Sequence, residues 1–159
     1  MIDEAAPRPL LLLDVDGVLQ PVGRAVPPGY QRYEDEHSAV VLSPTHGDWL
    51  RELATSFDLV WATTWGSNAN GAIGRRLGLP TLPHLELGTL PRDGTRKLSA
   101  VQAAVGERPL AWIDDELYDD AGSWAAARSA PTLLVRTAAN VGLTLPDVIR
   151  LTHFAQTCR

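Results

Sequence analysis

Several polar residues lie after apolar segments of the chain or at the start of a helical pattern, and together they have the types needed for phosphoryl transfer. They are Asp14 with Asp16, Thr63, Lys97, and Asp114 with Asp115. Closely placed carboxylates repel one another and need a divalent cation, and a few hard oxygen ligands favour Mg²⁺, which also binds phosphate. A carboxylate can attack phosphorus, a second one can protonate the leaving oxygen, and lysine and hydroxyl groups stabilise the transferred charge. Any one of these residues could be structural, but their combination predicts a phosphoryl-transfer centre.

The elements that must position these residues alternate between short apolar runs and helical patterns. The apolar runs predict strands at residues 10–14, 58–63, 110–113 and 132–135. Helical spacing and terminating Gly or Pro residues predict helices at 45–57, 67–77, 95–105, 117–128 and 146–156. Residues 21–33 indicate a loop or small hairpin, and 81–92 an irregular segment that could hold a short strand. The alternation predicts an α/β domain with a mainly parallel sheet, whose ligands bind at the carboxyl ends of the strands.

Composition indicates an ordinary globular protein. We expect residues 1–9 to form a flexible N-terminal lead-in and residues 10–159 to form a single domain. The net charge of −5 argues against a generic nucleic-acid-binding surface, although a local basic groove is compatible with it. With one cysteine, no signal peptide and no long apolar stretch, the sequence predicts a cytoplasmic protein that has no membrane partner.

Four segments resemble the motifs of the haloacid dehalogenase (HAD) superfamily, in their usual order. Asp14-Val15-Asp16-Gly17-Val18 resembles the first motif in its Asp-x-Asp phosphatase form. Thr63 ends an apolar strand as the hydroxyl residue of the second motif does, and Lys97 is similar to the lysine of the third. Ile113-Asp114-Asp115 resembles the paired acids of the fourth. The resemblance covers residues 10–136 and implies a Rossmann-like three-layer sandwich with a mainly parallel central sheet.

The resemblance also implies a role for each acid. Asp14 would be the nucleophile and would bind Mg²⁺ through its other oxygen. Asp16 would act as general acid and base and bind the metal through its main-chain carbonyl. Asp114 would bind the metal directly. Asp115 would bind the metal through water, or would contact its direct ligands. Because HAD dehalogenases lack the second carboxylate of the first motif, Asp16 argues against a carbon–halogen substrate.

Phosphate binding is expected from Lys97 and from Thr63 or Thr64. Thr63 fits the second motif better, because it ends the apolar run. Gly17 is expected to allow a tight turn after Asp16, where a side chain would obstruct the site.

The intervals between the motifs leave no room for a separate cap domain, as in the capless class of the superfamily. Members of that class act on phosphorylated macromolecules or use a neighbouring subunit as a lid, so a large substrate and a homo-oligomer are both alternatives. Tyr30 and Arg32 are candidate substrate contacts in a flap, or belong to a solvent-facing hairpin. Trp65 and Asn68 follow the second strand and are further candidates, although Asn68 could instead cap the next helix.

The motifs are also similar to those of HAD-type domains assigned to RNA-repair proteins. The leading interpretation is a magnesium-dependent phosphatase that hydrolyses a phosphomonoester through an aspartyl-phosphate on Asp14. Its substrate would be a phosphorylated small molecule or the phosphorylated end of a macromolecule, and the negative charge does not favour a nucleic acid. The alternatives are a catalytically idle binding domain of the same fold and a phosphotransferase or mutase.

Overall fold

The computed structural model describes residues 6–159, which contain six strands and four α-helices. The strands are β1 (Leu10–Leu13), β2 (Gln31–Glu34), β3 (Ala39–Leu42), β4 (Asp58–Trp61), β5 (Leu110–Asp114) and β6 (Thr132–Arg136). The helices are α1 (Pro44–Leu53), α2 (Leu98–Val105), α3 (Asp119–Ala127) and α4 (Leu145–Thr157).

Four parallel strands form the central sheet, in the order β4-β1-β5-β6. Their continuous apolar runs suit strands that are buried on both faces, and every residue of β1 is buried. Leu13, the last residue of β1, pairs with Trp61 of β4 and Ile113 of β5. The chain therefore leaves β1 at Asp14, level with Asp114 on the neighbouring strand. This sheet confirms the predicted α/β, HAD-like architecture.

Helices cover both faces of the sheet and complete a three-layer sandwich. Leu11 and Leu13 pack in a core with buried residues of α1 and α4. Leu10 and Leu12 point to the opposite face and pack with buried residues of α2 and α3. Alternate side chains of a strand lie on opposite faces, so the two leucine pairs of β1 are buried in the cores on the two faces of the sheet. Burial of one such side chain contributes about 1.5–3 kcal/mol to folding.

An antiparallel β2–β3 hairpin forms a separate two-stranded sheet. Of the two alternatives predicted for 21–33, the loop is confirmed for residues 21–30, whereas the hairpin lies later, at residues 31–42, and ends just before α1. Its second strand buries Val40 and Leu42 and exposes Ala39, an alternation of too few residues to stand out in the sequence. Between β1 and β4 the described chain holds this hairpin and α1 and no cap domain, as expected.

The predicted helix at 67–77 is confirmed as a helical segment, but most of its helical residues are π-helical. Residues 68–69 are α-helical, Asn70–Gly74 form a π-helix, and hydrogen-bonded turns follow at 75–78. The Asn70 side chain accepts hydrogen bonds from the Trp61 indole at 2.8 Å and the Leu82 backbone amide at 2.9 Å. These tertiary bonds fix the segment, and its glycines weaken any competing α-helix.

Smaller differences concern the ends of elements. Residues 81–92 contain no extended strand, only an isolated bridge between Trp61 and His84. Helix α2 begins at Leu98 rather than Thr95, which makes Lys97 its N-cap residue. Residues 1–5 of the expected lead-in lie outside the described part of the chain, and the domain boundaries remain a prediction. None of the helices within residues 6–159 has the length and hydrophobicity to cross a membrane.

Candidate active site

Two aspartates, at the carboxyl ends of β1 and β5, contact the same lysine. The Nζ atom of Lys97 lies 2.7 Å from Oδ2 of Asp114 and 3.0 Å from Oδ2 of Asp14. All three residues are buried, with Asp114 only 1% exposed. An unpaired charge at such depth would be strongly destabilising. The lysine is therefore the counter-charge that allows two carboxylates to share this edge of the sheet.

One positive charge does not fully compensate the two acids. Burial, reinforced by the negative charge of Asp114, raises the pKa of Asp14 to about 8 despite the attraction of Lys97. Burial also opposes the charged form of Lys97. The combined attraction and hydrogen bonds of Asp14 and Asp114 outweigh that effect, so the pKa of Lys97 is raised. The site thus has a deficit of positive charge, which a cation would remove.

A third carboxylate, that of Asp115, completes a group that could hold a metal ion. Oxygen atoms of Asp14, Asp114 and Asp115 lie within 4.8 Å of one another. The second oxygen of Asp114 accepts a hydrogen bond from the Glu116 backbone amide at 2.9 Å. Within residues 6–159 the Asp115 carboxylate accepts a hydrogen bond only from its own backbone amide, and burial followed by repulsion from Asp114 raises its pKa. Asp115 is thus the member of the group with free oxygen ligands.

Gly17 makes room for this third carboxylate. Its φ of +77° is a left-handed conformation, and a Cβ atom there would lie 2.5 Å from Cγ of Asp115. The expected tight turn is confirmed, and the group that a side chain would obstruct is Asp115. Both the backbone conformation and the close approach require glycine.

Asp16 lies at the same site but its carboxylate is not part of the metal-compatible group. Its two oxygens accept hydrogen bonds from Gln20 Nε2 at 2.9 Å and from the Trp65 indole nitrogen at 3.0 Å. The expectation that the carboxylates of Asp14, Asp16 and Asp114 converge therefore needs correction, because Asp115 takes the place of Asp16 in that group. The resemblance had assigned metal binding to the main-chain carbonyl of Asp16, which this arrangement leaves open.

A small cavity of ≈ 170 Å³ joins these groups. It is lined by Asp14, Asp16, Thr64, Leu90, Arg96, Lys97, Asp115 and Glu116. Thr64 lines it, whereas Thr63 is buried and its hydroxyl accepts a hydrogen bond from the Trp65 backbone amide at 3.3 Å. Both threonines line an adjoining groove. Of the two, Thr64 is thus the one that lines the cavity at the acids.

Arg96 was missed in the sequence, although it directly precedes Lys97. Its Nε atom donates to the Pro91 carbonyl at 3.0 Å, and its guanidinium forms no ion pair with a carboxylate of the described chain. Because its guanidinium is not paired with a carboxylate of the described residues, Arg96 is suited to bind an anionic ligand in this cavity. Gln20 was missed as well, because nothing in its sequence position indicates that it contacts Asp16.

The turn before Lys97 is fixed by a residue of α3. Asp120 accepts hydrogen bonds from the Thr95 hydroxyl at 2.6 Å and the Thr95 backbone amide at 3.0 Å. The same hydroxyl accepts from the Tyr118 backbone amide at 2.9 Å. Asp120 is exposed on α3, and its carboxylate anchors the segment that carries Arg96 and Lys97.

The four candidate substrate contacts lie in different places. The Tyr30 hydroxyl donates to the Val141 carbonyl at 3.2 Å, and its ring packs edge-on against His46, away from the acids. Arg32 is exposed on β2, 3.5 Å from Glu34. Trp65 contacts Asp16 directly. Asn68 caps no α-helix and lines a groove of ≈ 540 Å³ between the hairpin turn and the segment after β4, which Trp65 also lines.

Comparison with known proteins gives one family. Residues 10–148 match the family described as the HAD domain in Swiss Army Knife RNA repair proteins. No curated protein matches the chain. The matched range contains all four motifs, both strands that carry the buried aspartates, and the hairpin. The chain belongs to the family of HAD domains found in Swiss Army Knife RNA repair proteins.

Proposed function

We propose that the chain is a magnesium-dependent phosphomonoesterase that uses Asp14 as its nucleophile and forms an aspartyl-phosphate. The observation that carries the proposal is the buried Asp14–Lys97–Asp114 arrangement with the Asp115 carboxylate beside it. Membership of the HAD family supports a phosphoester as the substrate. A binding domain without catalytic activity would not need three mutually repelling carboxylates close together, which argues against that alternative.

The donor set fits Mg²⁺. Asp14, Asp114 and Asp115 supply hard oxygen ligands in small number, which is the set that Mg²⁺ prefers. A bound cation would counteract the raised pKa values of Asp14 and Asp115 and hold both groups as carboxylates. When bound, Mg²⁺ would neutralise charge on the phosphoryl oxygens and help orient them.

Side chains at the site have separate roles in the proposed reaction. Asp14 attacks phosphorus, and Lys97 holds its carboxylate in place while offering a positive charge to the phosphoryl oxygens. Thr64 and Arg96 line the same cavity and provide a hydroxyl and a second cation for these oxygens. Asp16 delivers a proton to the leaving oxygen, and later accepts one from the water that hydrolyses the intermediate.

We propose the phosphorylated end of a larger molecule as the substrate, with a terminal phosphate of RNA as the class to test first. The cavity at the acids accommodates little beyond the phosphoryl group. Two larger grooves continue from it. One groove shares Thr64 and Leu90 with the cavity. The other groove shares Trp65 and Ser67 with that one. The family's description supports RNA, and Arg96 in the cavity and Arg75 in the outer groove offer cations to RNA phosphates although the net charge of the chain is negative.

The test is release of phosphate with and without Mg²⁺. We expect Mg²⁺-dependent hydrolysis of 4-nitrophenyl phosphate and of 5′- or 3′-phosphorylated oligonucleotides, and none in excess EDTA. Beryllium fluoride with Mg²⁺ should raise Tm, because it mimics a phosphoryl group on aspartate. Absence of both turnover and beryllofluoride binding would contradict the proposal in favour of an idle domain. Phosphate transferred to a second hydroxyl, rather than released, would identify a transferase.

Gly17→Ala should weaken Mg²⁺ binding. An added Cβ would turn the Asp115 side chain away from Asp14 and Asp114, so the Kd for Mg²⁺ should rise about tenfold or more. The left-handed backbone should cost about 1–2 kcal/mol of stability as well. Calorimetric titration with Mg²⁺ and chemical denaturation measure the two effects.

The matched control is Gly29→Ala. Gly29 has a similar φ of +84°, but nothing lies within 4 Å of a Cβ placed there. This variant should show the backbone cost and keep the Mg²⁺ affinity of the wild type. Equal Mg²⁺ affinities in the two variants would show that Asp115 does not contribute to the metal site.

A further inference from the structure

The Asp16 carboxylate is held by two side chains from different parts of the fold. Gln20, four residues later in the chain, donates to Oδ1 at 2.9 Å, and the Trp65 indole, from the segment after β4, donates to Oδ2 at 3.0 Å. Both oxygens therefore have a fixed position. Neither Gln20 nor Trp65 belongs to the acidic group, and Gln20 does not line the cavity at the acids.

Gln20 is itself fixed by the β2–β3 hairpin. Its Oε1 atom accepts a hydrogen bond from the Val41 backbone amide at 2.9 Å. A carboxylate needs a donor and a backbone amide needs an acceptor, so only one orientation of the Gln20 carboxamide satisfies both neighbours. The hairpin, through Gln20, thus determines where the Asp16 carboxylate lies.

The chemistry of the two partners has a consequence for proton transfer. An indole N–H and a carboxamide NH₂ are donors only and cannot accept a proton from Asp16. When Asp16 is protonated, its O–H therefore has no acceptor in Gln20 Nε2 or Trp65 Nε1. The proton remains available to an oxygen in the adjacent cavity, which Asp16 lines.

We propose that Trp65 and Gln20 are positioning residues that aim the acidic proton of Asp16 at the leaving oxygen of the substrate. This inference rests on the phosphatase function proposed above. In the first step the bond from Asp14 to phosphorus forms, the bond from phosphorus to the leaving oxygen breaks, and the Asp16 proton moves to that oxygen. In the second step Asp16 takes a proton from the water that attacks phosphorus, which releases phosphate and restores both carboxyl groups.

The test compares substrates that need the acid with one that does not. An alkyl phosphate, including a phosphorylated oligonucleotide end, has a poor leaving group, whereas 4-nitrophenol leaves without protonation. General acid catalysis contributes about 10²–10⁴-fold. We therefore expect Trp65→Phe and Gln20→Met to lower kcat/KM for the alkyl phosphate about 10–100-fold and for 4-nitrophenyl phosphate less than about threefold. The quantity kcat/KM reports formation of the aspartyl-phosphate and excludes the second step.

Matched controls and a double variant separate positioning from general damage. Trp124→Phe on α3 and Gln102→Met on α2 alter the same residue types far from Asp16 and should leave both kcat/KM values unchanged. In an Asp16→Ala background, Trp65→Phe should cause no further loss with the alkyl phosphate, because its effect acts through Asp16.

Three outcomes would overturn the inference. They are equal losses with both substrates, no loss with either, or additive losses in the double variant, even where Tm shows that the variants fold. Failure of the wild-type chain to release phosphate from any substrate would be a different result, since it would remove the phosphatase proposal and this inference with it.

Discussion

Asp14→Asn should lower Mg²⁺-dependent phosphate release by about 10⁴-fold or more, because an amide cannot attack phosphorus and the covalent route is lost. The substitution preserves the size of the side chain, so substrate should still bind. Single-turnover measurement of phosphate release with 4-nitrophenyl phosphate detects the effect directly. Asp119→Asn, which alters an exposed carboxylate at the start of α3, is the control and should stay within about twofold of wild type. Substantial turnover by Asp14→Asn would show that another group attacks the substrate.

The same variant should be more stable than the metal-free wild type. With its pKa raised from 3.8 to about 8, Asp14 keeps a proton in the folded state that the unfolded chain releases between these values. The folded state then binds more protons, so its stability falls as pH rises through this window. At pH 7 the cost is at most about 4 kcal/mol, since each pKa unit corresponds to about 1.4 kcal/mol. Asparagine removes the cost and also loses the attraction of Lys97.

We therefore expect Asp14→Asn to gain about 1–3 kcal/mol at pH 7 in EDTA, with a gap that widens from pH 5 to pH 8. Urea denaturation at several pH values measures it. The difference between the two proteins isolates Asp14, because His46, whose pKa is lowered by burial, is present in both. Saturating Mg²⁺ should reduce or reverse the gap, since the cation binds the wild-type carboxylate better. A gap that does not change with pH would contradict the raised pKa.

Part of the acidic site could be predicted from the sequence. Apolar runs ending in Asp14 and at Asp114 predicted strands of one parallel sheet, and the observed register of β1 with β5 places these residues side by side. That prediction succeeds because the carboxyl ends of parallel strands necessarily share one edge. Lys97 was predicted from its order in the chain and its place in the first turn of a predicted helix, although the helix begins three residues later than expected.

The direction of each side chain could not be predicted in the same way. Whether Asp16 or Asp115 joins the metal-compatible group depends on the turn at Gly17 and on donors supplied by Gln20 and Trp65. These contacts join segments up to 49 residues apart, and no local pattern specifies them. The π-helical geometry at Asn70–Gly74 likewise accompanies side-chain hydrogen bonds to Trp61 and Leu82, which the local helical pattern does not specify.

Lys97→Met should destabilise the metal-free protein by about 2–4 kcal/mol at pH 7. The substitution keeps most of the unbranched side chain and removes the cation that lies between two buried carboxylates. Loss of one partner of a buried ion pair costs about 3–5 kcal/mol, and protonation of Asp14 offsets part of this at neutral pH. The loss should therefore grow as pH rises above 8, because Asp14 of the wild type is then ionised and paired with Lys97, whereas the variant lacks this attraction. Urea denaturation in EDTA at pH 7 and pH 9 measures both values.

Addition of Mg²⁺ tests whether the two cations serve the same carboxylates. Since Mg²⁺ would supply the missing positive charge, it should stabilise Lys97→Met by more than it stabilises the wild type, while phosphate release stays low because the lysine contact to the phosphoryl group is gone. Arg96→Met is the stability control, because Arg96 is exposed and its guanidinium pairs with no carboxylate of residues 6–159; its change should be about 0.5 kcal/mol or less. If the two variants unfold alike, Lys97 does not neutralise a buried acidic pair, and the arrangement from which the phosphatase proposal starts is absent in solution.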